Sequence, residues 1–170
     1  PPGLLDQWTS FQRRRARGWV PGEGQAELTQ AYRLFTLALV GAAELPAMNQ
    51  LRERASLPVA AKWRLAAAYQ LAAQPEAARA LAAGGPVTIA PYRELGGTYG
   101  SDLRDRAMVL EAVVLVGMAE HVGPLAKSLS ESLSKNAWLS TQETAYALLA
   151  LSRAVTDAKG ILEAAQGAAA

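Results

Sequence analysis

One histidine, His121, stands between Glu120 and Gly123-Pro124. It can act as a general acid or base only where the fold supplies a nucleophile or an orienting acid, so it reads as a surface or helix-end residue. Five acids, Glu94, Asp102, Asp105, Glu111 and Glu120, lie close together in sequence. A glycosidase would need two of them facing each other across a cleft. Here Arg93, Arg104 and Arg106 are interleaved with them, which points to structural ion pairs instead. Gly96-Gly97-Thr98-Tyr99-Gly100-Ser101 has the glycines of a phosphate loop but lacks the Lys-Ser/Thr ending and a surrounding βαβ unit, so it reads as a turn. Arg13-Arg14-Arg15 with Arg17 is the one basic run. It could serve nucleic acid or a membrane surface, but no aromatic-rich basic surface accompanies it. It therefore reads as the solvated last turn of a helix, where cations meet the negative end of the dipole. The chain has no cysteine, which excludes disulfides, thiolate metal sites, cysteine nucleophiles and a thioester within it. The aspartate-rich motifs of terpene cyclases and the zinc ligands of protein prenyltransferases are absent as well. The expectation is no catalytic site, no cofactor and no metal, and a chain that is not an enzyme.

The elements that would position these residues are helical. In 170 residues, hydrophobic types make up 51% but aromatics only 6%, so the apolar mass is chiefly Ala and Leu, strong helix formers. That content excludes a disordered chain, and a net charge of +2 argues against a nucleic-acid partner. No stretch approaches about 18 uncharged apolar residues, so the chain is not expected to insert directly into a membrane. The spacing predicts helices over 4–17, 26–41, 45–55, 58–73, a short one from Pro75, then 102–119, 124–135 and 140–157, with a further segment after Gly160. In the third of these, Leu45, Met48, Leu51 and Ala55 share one face. Ser140-Thr141-Gln142-Glu143 is a capping box. Residues 86–101 break the period: Val87-Thr88-Ile89 is β-branched and Gly96-Gly97 follows, which predicts a short β-hairpin or an extended loop.

In the helices that read as apolar nearly all round, the stretches that align begin at Arg33, Arg64, Arg106 and Tyr146, which are 31, 42 and 40 residues apart. Amphipathic helices at 45–55, 76–83 and 124–135 alternate with them. A helix apolar on every side must be buried, and an amphipathic one can cover it. The expected fold class is thus all-α, a double-layered array of helical hairpins, either an α/α toroid or an open solenoid. Residues 1–170 read as one domain. The opening Pro1-Pro2-Gly3 and the closing Ala168-Ala169-Ala170 suggest a piece cut from a longer chain. The irregular spacing argues against the 34-residue tetratricopeptide unit, leaving a helical-repeat binding scaffold or an α/α-toroid enzyme as alternatives.

Four blocks carry a family resemblance. They are Leu28–Leu39 followed by Glu44–Glu53, Lys62–Tyr69, Tyr99–Ala107 and Trp138–Leu151, in this order. Together they resemble bacterial alpha-2-macroglobulins, and the matching part is similar to the later portion of the thioester-type domain, an α/α toroid. The resemblance implies a multidomain periplasmic endopeptidase inhibitor, commonly anchored by lipid to the inner membrane. Such proteins trap proteases after cleavage of a bait region. The implied partners are other domains of the same parent chain and, through the full-length protein, target proteases. The Cys-x-x-Gln thioester motif has no counterpart here, so no thioester residue can be assigned. The isolated chain is expected to be inert. Within the 86–101 loop, Tyr92, Arg93, Glu94 and Tyr99 are the candidate interdomain contacts.

Overall fold

The computed structural model describes residues 3–22, 27–135 and 138–167, with side chains described to 158. The terminal Pro1-Pro2 and the closing alanines lie outside the described residues, as do Glu23 and Gly24 of the link after α1. Eight helices and no strand occur among the described residues, so the fold is all-α. They are α1 (Leu4–Arg17), α2 (Glu27–Leu39), α3 (Leu45–Arg52), α4 (Val59–Leu71), α5 (Pro75–Ala82), α6 (Asp102–Val116), α7 (Ala119–Ser134) and α8 (Thr141–Gly167). The chain divides into two compact units, Pro1–Pro86 and Val87–Ala170.

The amino-terminal unit is organised around α4, which buries nine of its 13 residues, Ala60, Ala61 and Trp63–Tyr69. α2 and α5 pack on it, and α1 and α3 close over α2. Runs of alanine on α4 let neighbouring helices approach while Trp63, Leu65 and Tyr69 supply the bulk. Arg64 is also buried, its guanidinium carbon 4.3 Å from the Phe35 ring centroid and 5.6 Å from that of Tyr32. Stacking on two rings recovers part of what burying a cation costs. Tyr69 Oη donates to Asn49 Oδ1 at 2.6 Å, tying α4 to α3. Of the face expected on α3, Met48 and Leu51 are buried, while Leu45 is more than a third exposed and Ala55 lies beyond the helix end.

α4 ends in a Schellman motif: the Gln74 amide donates to Tyr69 O at 2.9 Å and the Ala73 amide to Gln70 O at 3.2 Å. The motif places Ala73 at φ 56°, in the left-handed region that costs an L side chain about 1–2 kcal/mol. Gly41 and Gly117 occupy the corresponding position after α2 and α6. Ala73→Gly is therefore expected to raise the unfolding free energy by about 0.5–1 kcal/mol, after allowing for the extra freedom of an unfolded glycine. Gly41→Ala should lower it by a similar amount, and urea denaturation of both variants checks the pair.

The carboxy-terminal unit is built around α6, which buries 12 of its 15 residues between α7 and α8. Several sequence expectations change here. The 102–119 helix stops at Val116, because Gly117 at φ 80° turns the chain and accepts the Schellman geometry. The next helix starts at Ala119, not at Pro124, and carries Pro124 inside it. The only donor lost there is the one that would bond the Glu120 carbonyl in the opening turn, where end carbonyls are easily hydrated. Gly160 does not end α8, since a glycine at helical φ weakens a helix by about 1 kcal/mol without breaking it. Nor is α8 buried on every side. Its inner face is Glu143, Ala147, Ala150 and Ala154, and Leu148, Leu149 and Val155 point to solvent. Residues 86–101 form the extended loop rather than a hairpin. Val87 and Ile89 are half-buried with Thr88 exposed between them, a strand-like alternation with no paired strand. A lone antiparallel bridge joins Arg93 to Ser101.

Candidate functional site

The 87–101 loop is the one long irregular segment within the carboxy-terminal unit, and side chains hold it in place. Its two limbs meet at the Arg93–Ser101 bridge, where the Glu94 amide donates to Gly100 O at 2.8 Å and the Asp102 amide to Tyr92 O at 3.1 Å. Beyond them Gly97 (φ 60°) and Tyr99 (φ 51°) take left-handed conformations that reverse the chain, with the Tyr99 amide bonded to Gly96 O. Glycine suits such a position and tyrosine does not, so the turn is held from outside itself.

The holding groups come from the first turn of α6. Ser101 is its N-cap and accepts from the Arg104 amide through Oγ at 3.2 Å. That places Arg104 and Asp105, both buried, beneath the loop. Arg104 Nε donates to Asp105 Oδ1 at 2.9 Å and Nη1 reaches Thr98 O and Oγ1, each at 3.2 Å. Tyr92 Oη donates to Asp105 Oδ2 at 2.7 Å and accepts from Arg104 Nη2 at 3.2 Å. Thr98 Oγ1 and the Gly100 amide both donate to Glu94 Oε2, at 2.7 and 3.1 Å. A side chain at Gly100 would push into the network. A Cβ there would lie 2.7 Å from Arg104 Nη2 and 2.8 Å from Tyr92 Oη.

A second anchor comes from α8. Glu143 closes the capping box, its Oε2 accepting from the Ser140 amide at 2.7 Å while its own amide donates to Ser140 Oγ at 3.1 Å. Its other oxygen accepts from Arg93 Nη2 at 2.7 Å. One carboxylate thus caps α8 and ties the loop to it. Arg93 also lies over Trp138, with its guanidinium carbon 5.8 Å from the ring centroid.

Ionisation follows this geometry. Burial, then the hydrogen bond to Asp105, push the Tyr92 phenol well above the ordinary tyrosine range, so it stays a donor. Burial opposes charge on Glu143, yet the Ser140 amide, the Ser101 and Ser140 hydroxyls and the Arg93 charge hold its carboxyl below the ordinary range. The Thr98 hydroxyl, followed by the Gly100 amide, does the same for Glu94. Burial works against the Arg104 cation, but Asp105 and Tyr92 outweigh it and raise its pKa.

Of the four residues expected to face another domain, three are turned to the loop's own support: Tyr92 to Asp105, Arg93 to Glu143 and Glu94 to Thr98. Tyr99 is 67% exposed. Two further outward residues carry more apolar surface than expected from sequence, Leu95 at 90% exposed and Trp138 at 78%. Neither has a motif: Leu95 is presented by the bend before Gly96-Gly97, and Trp138 by the segment that leads into α8. The Ser101 cap did have a readable signal, a serine directly before a helix whose first turn holds Asp102 and Asp105.

The remaining candidate residues resolve into structural pairs. Arg106 bonds Asp102 at 3.0 Å, Arg153 lies 3.6 Å from Glu111 and His121 lies 3.7 Å from Glu120. Among the described residues, no group of three or more acids or histidines is placed to hold a metal ion, and no helix is long and apolar enough to cross a membrane. The basic run is divided. Arg13 and Arg17 turn to the buried Glu44 at the start of α3, while Arg14 and Arg15 face solvent. Comparison with protein-family models, with curated proteins and with solved structures returned no match to this chain.

Proposed function

We propose that this chain is a helical domain of a bacterial alpha-2-macroglobulin-like protease trap, non-enzymatic, acting in the periplasm within a larger parent protein that is anchored at the inner membrane. The observation that carries the reading is where the four resembling blocks fall. They supply α2 and α3, the buried stretch of α4, the Tyr99–Ala107 lock with the start of α6, and the capped start of α8. They hold much of the buried and hydrogen-bonded frame of both units, together with the outward Tyr99, Trp138, Leu148 and Leu149. In this reading the chain is a passive part of the parent that moves when a bait segment elsewhere is cut. The 87–101 loop is its contact with neighbouring domains. A stiff loop supports that role, because presenting Leu95 and Tyr99 already ordered, with Trp138 beside Arg93, avoids the entropy of fixing them on contact.

The test is made in the parent protein with Leu95→Ala, Tyr99→Ala and Trp138→Ala combined. All three side chains point outward and Tyr92 is left in place to keep the lock. Domain association in the parent is expected to weaken about 10-fold or more, as for loss of aromatic anchors at an interface. Protection of a trapped protease from a macromolecular substrate should fall with it. Unchanged trapping and unchanged association would reject the contact. The neutral outward face of α8, Leu148, Leu149 and Val155, also suits a helical-repeat scaffold that stacks on a further helical pair. Trapping by the parent separates the two readings.

A further inference from the structure

α1 has an outward face that neither the loop nor the helical core uses. Leu4, Trp8, Phe11 and Arg15 follow one another at i, i+4, i+7 and i+11, a single stripe along the helix. Leu4 and Phe11 are 57% and 51% exposed, Leu5 beside them is similarly open, and Trp8 is half-buried. The opposite side of the helix is fixed. Ala16 is fully buried and its carbonyl accepts from the buried Gln30 side chain at 2.9 Å, while Arg13 and Arg17 grip Glu44. α1 therefore cannot roll to hide the stripe.

The charge around this face is one-sided. Glu44 is neutralised by Arg13 and Arg17, whose guanidinium groups both bond its carboxylate. Arg14 and Arg15 stand beyond what the internal clamp requires, and no ion pair with an acid is found for either among the described residues. Leucine, tryptophan and phenylalanine on one helical stripe with exposed arginines at its end is the composition of a helix lying in a lipid–water interface. A flat anionic surface asks only for this level stripe and these cations.

We propose that the Leu4–Arg15 face of α1 docks on an anionic phospholipid surface, with Leu4, Phe11 and the edge of Trp8 in the headgroup layer and Arg14 and Arg15 on lipid phosphates. The docking is peripheral and salt-sensitive, since one short stripe and two cations give reversible attachment.

The experiment floats the full chain with vesicles of phosphatidylglycerol and phosphatidylcholine, and in parallel with phosphatidylcholine alone. The chain is expected to float with the anionic vesicles only and to be released by salt. In a Trp138→Phe background, where Trp19 and Trp63 are buried, Trp8 emission should shift to the blue on binding. Arg14→Gln with Arg15→Gln should weaken binding about 30-fold, taking each arginine near an anionic surface at about 1 kcal/mol. Leu4→Ser with Phe11→Ser should abolish the blue shift. Near-ultraviolet circular dichroism from Trp19 and Trp63 checks that the variants stay folded. If the serine pair disturbs that signal, Phe11→Leu, which shortens the stripe without opening the helix, takes its place and should reduce the shift. The proposal is overturned if the unaltered chain ignores anionic vesicles or binds neutral ones equally. It is also overturned if the arginine pair can be replaced without loss.

Discussion

Asp105→Ala is expected to destabilise the carboxy-terminal unit by about 3–5 kcal/mol, because it removes the bonded partner of a buried ion pair and leaves Arg104 with only the exposed Glu94 carboxylate nearby. Alanine is the better helix former, though an acid in the first turn gains about 0.3–1 kcal/mol from the helix dipole, so a loss well beyond that belongs to the network. Asp105 is only 5% exposed and accepts from Tyr92 Oη at 2.7 Å and from Arg104 Nε at 2.9 Å. Without it Tyr92 keeps only the Arg104 contact, and the loop tip loses the support that makes a left-handed Tyr99 tolerable. Against a typical domain stability of about 5–15 kcal/mol, such a loss leaves the unit marginal. Urea unfolding at neutral pH gives the magnitude. Titration of the tyrosine absorbance gives an independent readout. The Tyr92 phenol should titrate lower than in the unaltered protein but not return fully to the ordinary range, since burial is the larger cause of its shift. A stability loss below about 1 kcal/mol would show that the network is ornamental to the fold.

Glu143 is the second sensitive position, and its effect depends on pH. Glu143→Ala removes the capping box and the tether to Arg93 together, with an expected cost of about 2–4 kcal/mol at pH 7. The folded protein holds this carboxyl below its ordinary value of 4.5, so the native state binds protons less readily than the unfolded chain. Its contribution is complete above that ordinary value and is lost as the pH falls through the depressed one. Glu44, whose pKa is lowered first by its hydrogen bond to Arg17, acts in the same direction in the amino-terminal unit. Stability should therefore decline on acidification below about pH 4.5, and Glu143→Gln should flatten the decline of the carboxy-terminal unit while leaving the Glu44-dependent part in place. Unfolding followed at pH 7 and at about pH 3, with Trp138 fluorescence reporting the Arg93 tether, checks both the slope and its origin. An identical slope in the Gln variant would remove Glu143 from the account.

The arrangement around these residues was only partly legible beforehand. The capping box was, because Ser140 and Glu143 meet within one turn and no distant element is needed to bring them together. So were the pairs among Asp102, Asp105, Arg104 and Arg106, which lie within a turn of one another. The second oxygen of Glu143 was not, since Arg93 is 50 residues away and reaches it through the path of the loop. The division of the arginine run was equally hidden. Arg13 and Arg17 are one turn apart and share a face, but the acid they share, Glu44, arrives from the start of α3.

The amino-acid sequence by itself determined the helical class and the turn position set by Gly41, and of the four helices it marked as apolar nearly all round, α4 and α6 are buried as expected, because propensity, left-handed glycine and apolar periodicity all act within a few residues. Only the tertiary structure decided that α8 would show Leu148 and Leu149 to solvent, that the β-branched Val87–Ile89 would find no strand to pair with, and that the loop would be fastened through Asp105 and Glu143. Each of these depends on which distant surface arrives opposite a residue, and neither burial nor a shared carboxylate exists until two remote segments of chain are brought together.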